Sequence, residues 1–388
     1  MIDYESLRPY ATKSQIIKLD ALKKYGSQSK ASKALNLNTR TFTRGLESLV
    51  RQAGKRGFNP EFDMTHPVAD GFKLKGVSTL YNEDGQVKSQ WVKSEADKER
   101  QIELVRETVL AFTENIKPCK PTKTPKTEHK NLLTSINIGD AHIGMYAWGD
   151  ETGADFDCDI AQRDIGRAAH RLISSTPSTE ECLIAQLGDF YHIDNKNNFT
   201  PMSGNPLDAD GRFRKVIKVG ILTMRHIIDE ALKKYKVVRV RNVIGNHDPH
   251  AAITLDEALI GYYYKEPRVI IEDSPKTFYT YRFGSNLIGI THGHAPRPDK
   301  LAGVMAVDCQ KEWAECEFKY IWHGHIHNKR VFEDLGVLVE SFRTTSVNDA
   351  WHTEQGYRSG KEMQAIILDK DYGEVERHTA GLKLVRAA

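Results

Sequence analysis

Five short polar clusters, each following directly on a strand-like apolar run, constrain this chain more than any other feature. The runs are residues 132–138, 182–187, 237–244, 287–291 and 320–322. The clusters are Gly139-Asp140-Ala141-His142, Gly188-Asp189-Phe190-Tyr191-His192, Gly245-Asn246-His247-Asp248, His292-Gly293-His294 and His323-Gly324-His325-Ile326-His327. Helix-like patterns lie between them, as at 159–174 and 214–234. Strands alternating with helices predict an α/β domain. Ligand sites in such sheets form where strands end, and eight of the chain's 15 histidines stand there.

Carboxylate, imidazole and amide oxygen without thiolate suit a hard to borderline divalent cation. Glycine beside each ligand lets the backbone turn sharply away from its strand. One aspartate can bridge two metals, and two metals ~3.5–4 Å apart clamp an in-line attack at phosphorus. They also lower the pKa of a bridging water toward neutrality, which makes a hydroxide nucleophile. One Gly-Asn-His-Asp is usually a turn, and one histidine is usually a surface or core residue. Five such clusters in order, each closing a strand, are not coincidental turns.

The order D-x-H, G-D, G-N-H-D, H-G-H, G-H-x-H resembles the calcineurin-like metallophosphoesterases over roughly residues 131–370. The resemblance implies a four-layer sandwich, two mixed β-sheets face to face with helices outside. It implies one metal on Asp140, His142, Asp189 and His327, and a second on Asp189, Asn246, His292 and His325, with Asp189 bridging. His247 would protonate the leaving oxygen or steady the phosphoryl group, and Asp248 would orient His247 through its second nitrogen. Gly188-Asp-Phe-Tyr-His192 and Asp140-Ala-His142-Ile-Gly144 are similar to the G-D-x-F-H and D-x-H-x-G of the DNA repair exonuclease branch. On that likeness His192 either reaches the scissile phosphate or the leaving 3′-oxygen, or supports the ligands from behind. Only 61 residues follow His327, too few for that branch's capping region and docking helices, so its ATPase partner is in doubt. The layout also resembles phage-encoded phosphoesterases.

Further stretches could shape specificity. Residues 193–213 form a long polar loop, and such a loop is usually functional or disordered. Its Asp194, Asn195, Asp208, Asp210 and Arg212 are candidate substrate contacts, as is His294; a solvated lid is the alternative. Arg297 and Lys300 could pair with phosphate or simply serve solubility. Arg343 and His352, in residues 342–352, could face the site.

The net charge of +3 conceals an asymmetry. Residues 1–60 carry 12 Lys/Arg against 4 Asp/Glu, and residues 131–388 carry 31 against 36. A basic N-terminal module on a mildly acidic body suggests a polyanion partner. Apolar spacing predicts three short helices over 15–52, through Ile16, Leu19 and Leu22, then Ala31, Ala34 and Leu35, then Phe42, Leu46, Leu49 and Val50. Asn38 or Thr39 can cap the third. Two helices joined by a tight turn, the second turning Arg40, Arg44 and Arg51 outward, resemble a helix-turn-helix; a three-helix bundle with no DNA role is the alternative. Residues 71–92 read as a hairpin around Asp84-Gly85, which would be a wing. Ser94 and Asp97 suggest a capping box, opening a connecting helix over 93–116. Its seam of Ile102, Val105, Val109, Phe112 and Ile116 either packs on its own domain or makes a homodimer. Residues 117–130, with three prolines and five lysines, read as a linker.

No run approaches the ~18 apolar residues of a membrane span, and no membrane partner is expected. The opening MIDYESLRPYATK has no apolar h-region, so no secretory signal is expected. Five cysteines without a C-x-x-C pair fit a reducing compartment, the cytoplasm of a bacterium or a phage-infected host. The expected architecture is thus a winged helix-turn-helix-like module (1–92), a connecting helix, a Lys/Pro linker and a binuclear metallophosphoesterase domain (131–388). The expected activity is phosphodiester hydrolysis on DNA, with two divalent cations, Mn²⁺ first and Fe, Zn or Mg as alternatives. A cyclic-nucleotide or small-molecule phosphodiesterase, a protein phosphatase, and a DNA-binding regulator with a vestigial metal site are the rival readings.

Overall fold

The computed structural model describes residues 3–59, 64, 72–82, 84, 86–96, 118–201 and 203–387. They fall into two compact units, Met1–Val105 and Arg106–Ala388. In the first, α1 (Lys13–Tyr25) starts at a capping box between Thr12 and Gln15 and stops at Gly26, whose φ of 72° is left-handed. Helix α2 (Gln28–Ala34) is capped by Ser27, and α3 (Thr39–Lys55) by Asn38, which accepts from the Arg40 N–H at 2.8 Å. Leu19, Ala31, Phe42, Leu46 and Leu49 form the core. A Cβ at Gly45 would stand 2.2 Å from Lys18 Nζ, the flexible end of a side chain from α1 lying over α3. Arg40, Arg44 and Arg51 are exposed on α3.

Strands β1 (Phe72–Tyr81) and β2 (Val87–Ala96) pair antiparallel, so a hairpin follows the helices. Ser94 lies inside β2, pairing with Leu74, and therefore caps no helix: the extended backbone of the hairpin overrides the local capping pattern. The remainder of the expected connecting helix, with its Ile102–Ile116 seam and Asp97, lies outside the described residues.

The second unit is a four-layer α/β sandwich. A six-stranded mixed sheet has the order β13-β12-β3-β4-β5-β6, in which β3 (His129–Ile138), β4 (Thr179–Gln186), β5 (Val237–Asn242) and β6 (Val269–Ile271) run parallel. Strands β12 (Glu362–Asp369) and β13 (Gly373–Gly381) extend it antiparallel. A five-stranded mixed sheet has the order β10-β11-β9-β8-β7, built from β7 (Tyr279–Phe283), β8 (Asn286–Ile290), β9 (Phe318–His323), β10 (Arg330–Asp334) and β11 (Val337–Ser341).

Strand alternation explains the layering. Leu183, Ala185 and Leu187 face inward with Ile288, Ile290 and Trp322 of the other sheet, forming the core between sheets. Cys182 and Ile184 point the opposite way, onto α4 (Cys158–Ser175), α5 (Phe213–Leu232) and α6 (Ala251–Tyr263). On the far side Leu287, Ile321 and Val339 pack against α7 (Leu301–Asp308). The five strands expected from sequence are β3, β4, β5, β8 and β9; β6, β7 and β10 to β13 were not anticipated.

The Lys/Pro stretch hydrogen-bonds to this unit. Cys119 N–H donates to the Tyr262 carbonyl at 3.2 Å, and Thr122 N–H donates to Glu266 Oε2 at 2.7 Å. The Arg268 guanidinium donates to Thr122 Oγ1 at 2.7 Å. Glu266 and Arg268 are buried and draw their partners from this segment. All five cysteines are free thiols. No helix among the described residues is long and apolar enough to cross a membrane.

Candidate metal centre

The five polar clusters meet at one end of the sandwich, each at the close of β3, β4, β5, β8 or β9. The turn off each strand is sharp. His142, Asp189, His325 and His327 all have positive φ, between 45° and 73°, a left-handed conformation that is uncommon for non-glycine residues and clusters at functional sites. The loops also approach closely, since a Cβ on Gly245 would stand 2.0 Å from Asp189 Oδ1.

Asp140, His142 and His327 form one group of ligand atoms, and Asp189, His292 and His325 a second, each group within 4.8 Å. His142, His192 and His247 form a third. His292 Nδ1–H donates to the Leu187 carbonyl at 2.9 Å. The opposite nitrogen, Nε2, faces Asn246 Oδ1 at 3.0 Å and Asp189 Oδ2 at 3.2 Å. His142 Nε2 faces His327 Nε2 at 3.0 Å, and Asp140 Oδ1 is 3.5 Å from His327 Nε2. Lone-pair atoms thus converge on one another in a buried space. That donor set fits divalent cations, with oxygen and imidazole ligands and no sulfur. In the protein alone, burial pulls the His292 imidazole down, but the Asp189 carboxylate overrides it and holds the ring up at about 10. Burial and His292 hold His325 down at about 4.

Asp140 is fixed from both sides. Its carboxylate accepts the His325 N–H at 2.9 and 3.0 Å, and its carbonyl accepts Thr344 Oγ1–H at 2.5 Å. Asp189 Oδ1 accepts the His247 N–H at 2.8 Å.

Two expectations need correction. Asp248 does not orient His247. Its carboxylate accepts the backbone N–H of Tyr191 and of Gly245, each at 3.0 Å, and so ties the second polar loop to the third. Burial, with the charge of Asp189, pushes its carboxyl up to about 8. His247 is oriented instead by the His192 carbonyl, which accepts its Nδ1–H at 3.1 Å. Asp194 is also no substrate contact. It is buried and accepts the N–H groups of His250 and Ala251 at 2.8 Å each, besides pairing with the His250 ring, so it caps α6.

His192 is fully buried behind His142 and His247, with its Nδ1 3.2 Å from His142 Nδ1 and its ring stacked on His247 at 5.3 Å. Burial and the His247 charge hold it down at about 3. His294 is half-buried, 5.2 Å from the His292 ring. Asn195 and Arg212 are exposed, and Asn195 Oδ1 accepts the Asn197 N–H. Asp210 accepts from Cys158 N–H and Lys215 Nζ. Arg297 pairs with Asp299 and Arg343 with Glu362, each at 3.0 Å.

The centre opens into a cavity of about 1120 Å³. Asp189, Asn246, His247, His325 and His327 line its floor, with Thr200, Ser203, Asn205 and Asp208 from the long polar loop, Lys329, Arg330, Asp349, Trp351, His352 and Tyr357 around it. His352 stacks on His327 at 4.8 Å. Asp349, Trp351 and Tyr357 were missed in the sequence, although Asp349 and His352 stand three apart, the spacing of a capped turn.

No protein-family profile matches this chain, and no curated protein matches it. Among solved structures it is similar to an archaeal phosphodiesterase, at 14% identity over 64% of this chain and 99% of that one, with a TM-score of 0.32. It is similar to a dimetal phosphatase from Danio rerio at 10% identity, 64% and 99% coverage, and a TM-score of 0.33. A conserved uncharacterised protein from Streptococcus pneumoniae, a predicted phosphoesterase, aligns at 14% identity, 64% and 98% coverage, and a TM-score of 0.27. Likeness at this level assigns no function to this chain.

Proposed function

We propose that the second unit is a binuclear metal-dependent phosphodiesterase and that its substrate is DNA. One observation carries the metal chemistry. Asp189 touches both the second ligand group, through His292 at 3.2 Å, and the backbone of His247, at 2.8 Å, on the floor of an open cavity. Asp140, His142, Asp189 and His327 would hold one cation, and Asp189, Asn246, His292 and His325 the other. Such a pair supplies Lewis acidity and an activated water for phosphoester hydrolysis, and manganese fits this oxygen and nitrogen set.

The protein's own groups do the rest. His247 Nδ1–H is committed to the His192 carbonyl, which fixes the ring. Its Nε2–H is then free to protonate the leaving oxygen, and His247 lines the cavity where that oxygen would sit. Asp248 keeps the loops bearing Asp189 and His247 in register.

The DNA reading is supported by the basic helical unit with its exposed Arg40, Arg44 and Arg51, and by a cavity larger than one phosphate needs. The test is hydrolysis with Mn²⁺ of linear and circular DNA, RNA, cyclic nucleotides, and methyl p-nitrophenyl phosphate against p-nitrophenyl phosphate. Nuclease activity and preference for the diester are expected. Preference for the monoester would sink the phosphodiesterase reading, and a cyclic nucleotide turned over faster than DNA would replace the substrate.

A further inference from the structure

The cavity wall carries an aromatic group that the proposed hydrolysis does not use. Trp351 lines it and is 55% exposed. Its ring stands edge-on to His352 at 4.9 Å, and His352 stacks on the ligand His327 at 4.8 Å. Tyr357 backs both, 5.9 Å from Trp351 and 5.0 Å from His352. The turn bearing them is rigidly held. Asp349 Oδ1 accepts from His352 N–H at 2.8 Å and from its Nδ1–H at 2.7 Å, and Tyr357 N–H donates to the His352 carbonyl at 3.0 Å. A half-exposed indole on the cavity wall, two ring contacts from a metal ligand, can receive a flat apolar partner.

Two cations, Lys329 and Arg330, line the same cavity. Lys329 is engaged with the buried Glu340 at 3.3 Å. The exposed Arg330 side chain has no hydrogen bond or ion pair among the described residues. A guanidinium of this kind suits a phosphate.

We infer that Trp351 and Arg330 form a nucleotide subsite: an unpaired base stacks on the indole while Arg330 holds the phosphate next to the one at the metal centre. The inference rests on the nucleic-acid reading above and deepens it. A base within a duplex has both faces covered by its neighbours, so the subsite selects single-stranded DNA or frayed ends.

The test compares a short oligodeoxythymidine strand with the same sugar–phosphate strand lacking its bases, both hydrolysed with Mn²⁺. The wild-type chain should prefer the strand with bases by roughly 10–100-fold in kcat/KM, the usual effect of one or two stacked bases. Trp351→Ala should collapse that preference to within about 3-fold, and Trp351→Phe should retain most of it. Arg330→Ala should weaken both strands alike and lower the log–log salt slope by about 0.7. An undiminished preference in Trp351→Ala, or faster cleavage of blunt duplex than of single strand, overturns the subsite. If neither strand is cleaved while methyl p-nitrophenyl phosphate is, the nucleic-acid reading itself fails and the subsite with it.

Discussion

Asp189 Oδ2 lies 3.2 Å from Nε2 of His292, a ring whose other nitrogen is already spent on the Leu187 carbonyl. The pair is therefore either an ion pair or two ligands of one cation, and both depend on the carboxylate's charge. Asp189→Asn keeps the shape and removes that charge. Hydrolysis should fall by roughly 10³-fold or more, since the cations' several kcal/mol of transition-state stabilisation go with them. His142→Ala removes a ligand that does not bridge to the second group, and excess Mn²⁺ should restore part of its activity. Metal content by elemental analysis, with activity across a Mn²⁺ titration, checks both. Equal and complete rescue of the two variants would remove Asp189 from its bridging place.

His247 is assigned a proton and no metal. His247→Asn should keep about the wild-type metal content and lose roughly 10²–10⁴-fold in turnover on a poor leaving group. The loss should shrink on a nitrophenolate leaving group, which needs little protonation. The readout is the ratio of the two losses, and a variant that loses metal contradicts the role.

Lys361 provides a pH signature at a group that is not itself a ligand, although the charges of Asp140 and Asp349 partly offset its burial. Its ammonium donates to Asn348 Oδ1 at 2.8 Å, and burial pulls its pKa down from 10.5 to about 8. Between those values the unfolded chain holds the proton and the folded chain does not. Stability should therefore rise with pH from about 8 to 10.5, with the full penalty present below 8. Lys361→Met should remove the penalty, raise Tm by a few degrees at pH 7 and flatten the rise. Thermal unfolding of metal-stripped wild type and variant across pH 7–10.5 decides it, and parallel curves would show that this lysine is not the cause.

The site was legible where chemistry is local. Asp140, His142, Asp189, Asn246, His247, His292, His325 and His327 each stand within a few residues of a strand end, and glycines beside them announce the turns. What depends on contacts between distant loops was not legible. Asp248 stands next to His247 in the chain, but its partner Tyr191 is 57 residues away and is reached only through the curvature of another loop. Asp194 likewise finds His250 and Ala251 across 56 and 57 residues. Trp351 carries no sequence signal of its own, since an exposed tryptophan becomes informative only beside His352, whose ring stacks on His327. Strand β10 escaped because its exposed and half-buried positions mix charge with apolar residues. The Lys/Pro stretch looked unattached because the acid and base that hold it, Glu266 and Arg268, lie more than 140 residues on.

The basic helices are expected to bind DNA through its phosphates. A fragment beginning at residue 118 retains the Thr122 bonds to Glu266 and Arg268 and should fold; one beginning at 131 loses them and should melt lower. The 118 fragment contains every ligand of the metal centre, so its turnover of methyl p-nitrophenyl phosphate should match that of the full chain. Its affinity for long DNA should fall, and the log–log salt slope should flatten by about 0.9 for each duplex phosphate that the helices would otherwise neutralise. Arg40, Arg44 and Arg51 are exposed on α3, whereas Phe42, Leu46 and Leu49 are buried in the core. Replacing the three arginines with alanine should leave the helical fold intact by circular dichroism and reproduce part of the fragment's weakening, up to about 2.7 in slope if each arginine neutralises one duplex phosphate. The measurement is DNA affinity at several salt concentrations for the full chain, the triple variant and the fragment. Identical affinities and slopes for all three would mean that these helices do not hold DNA, and the module would then serve another partner.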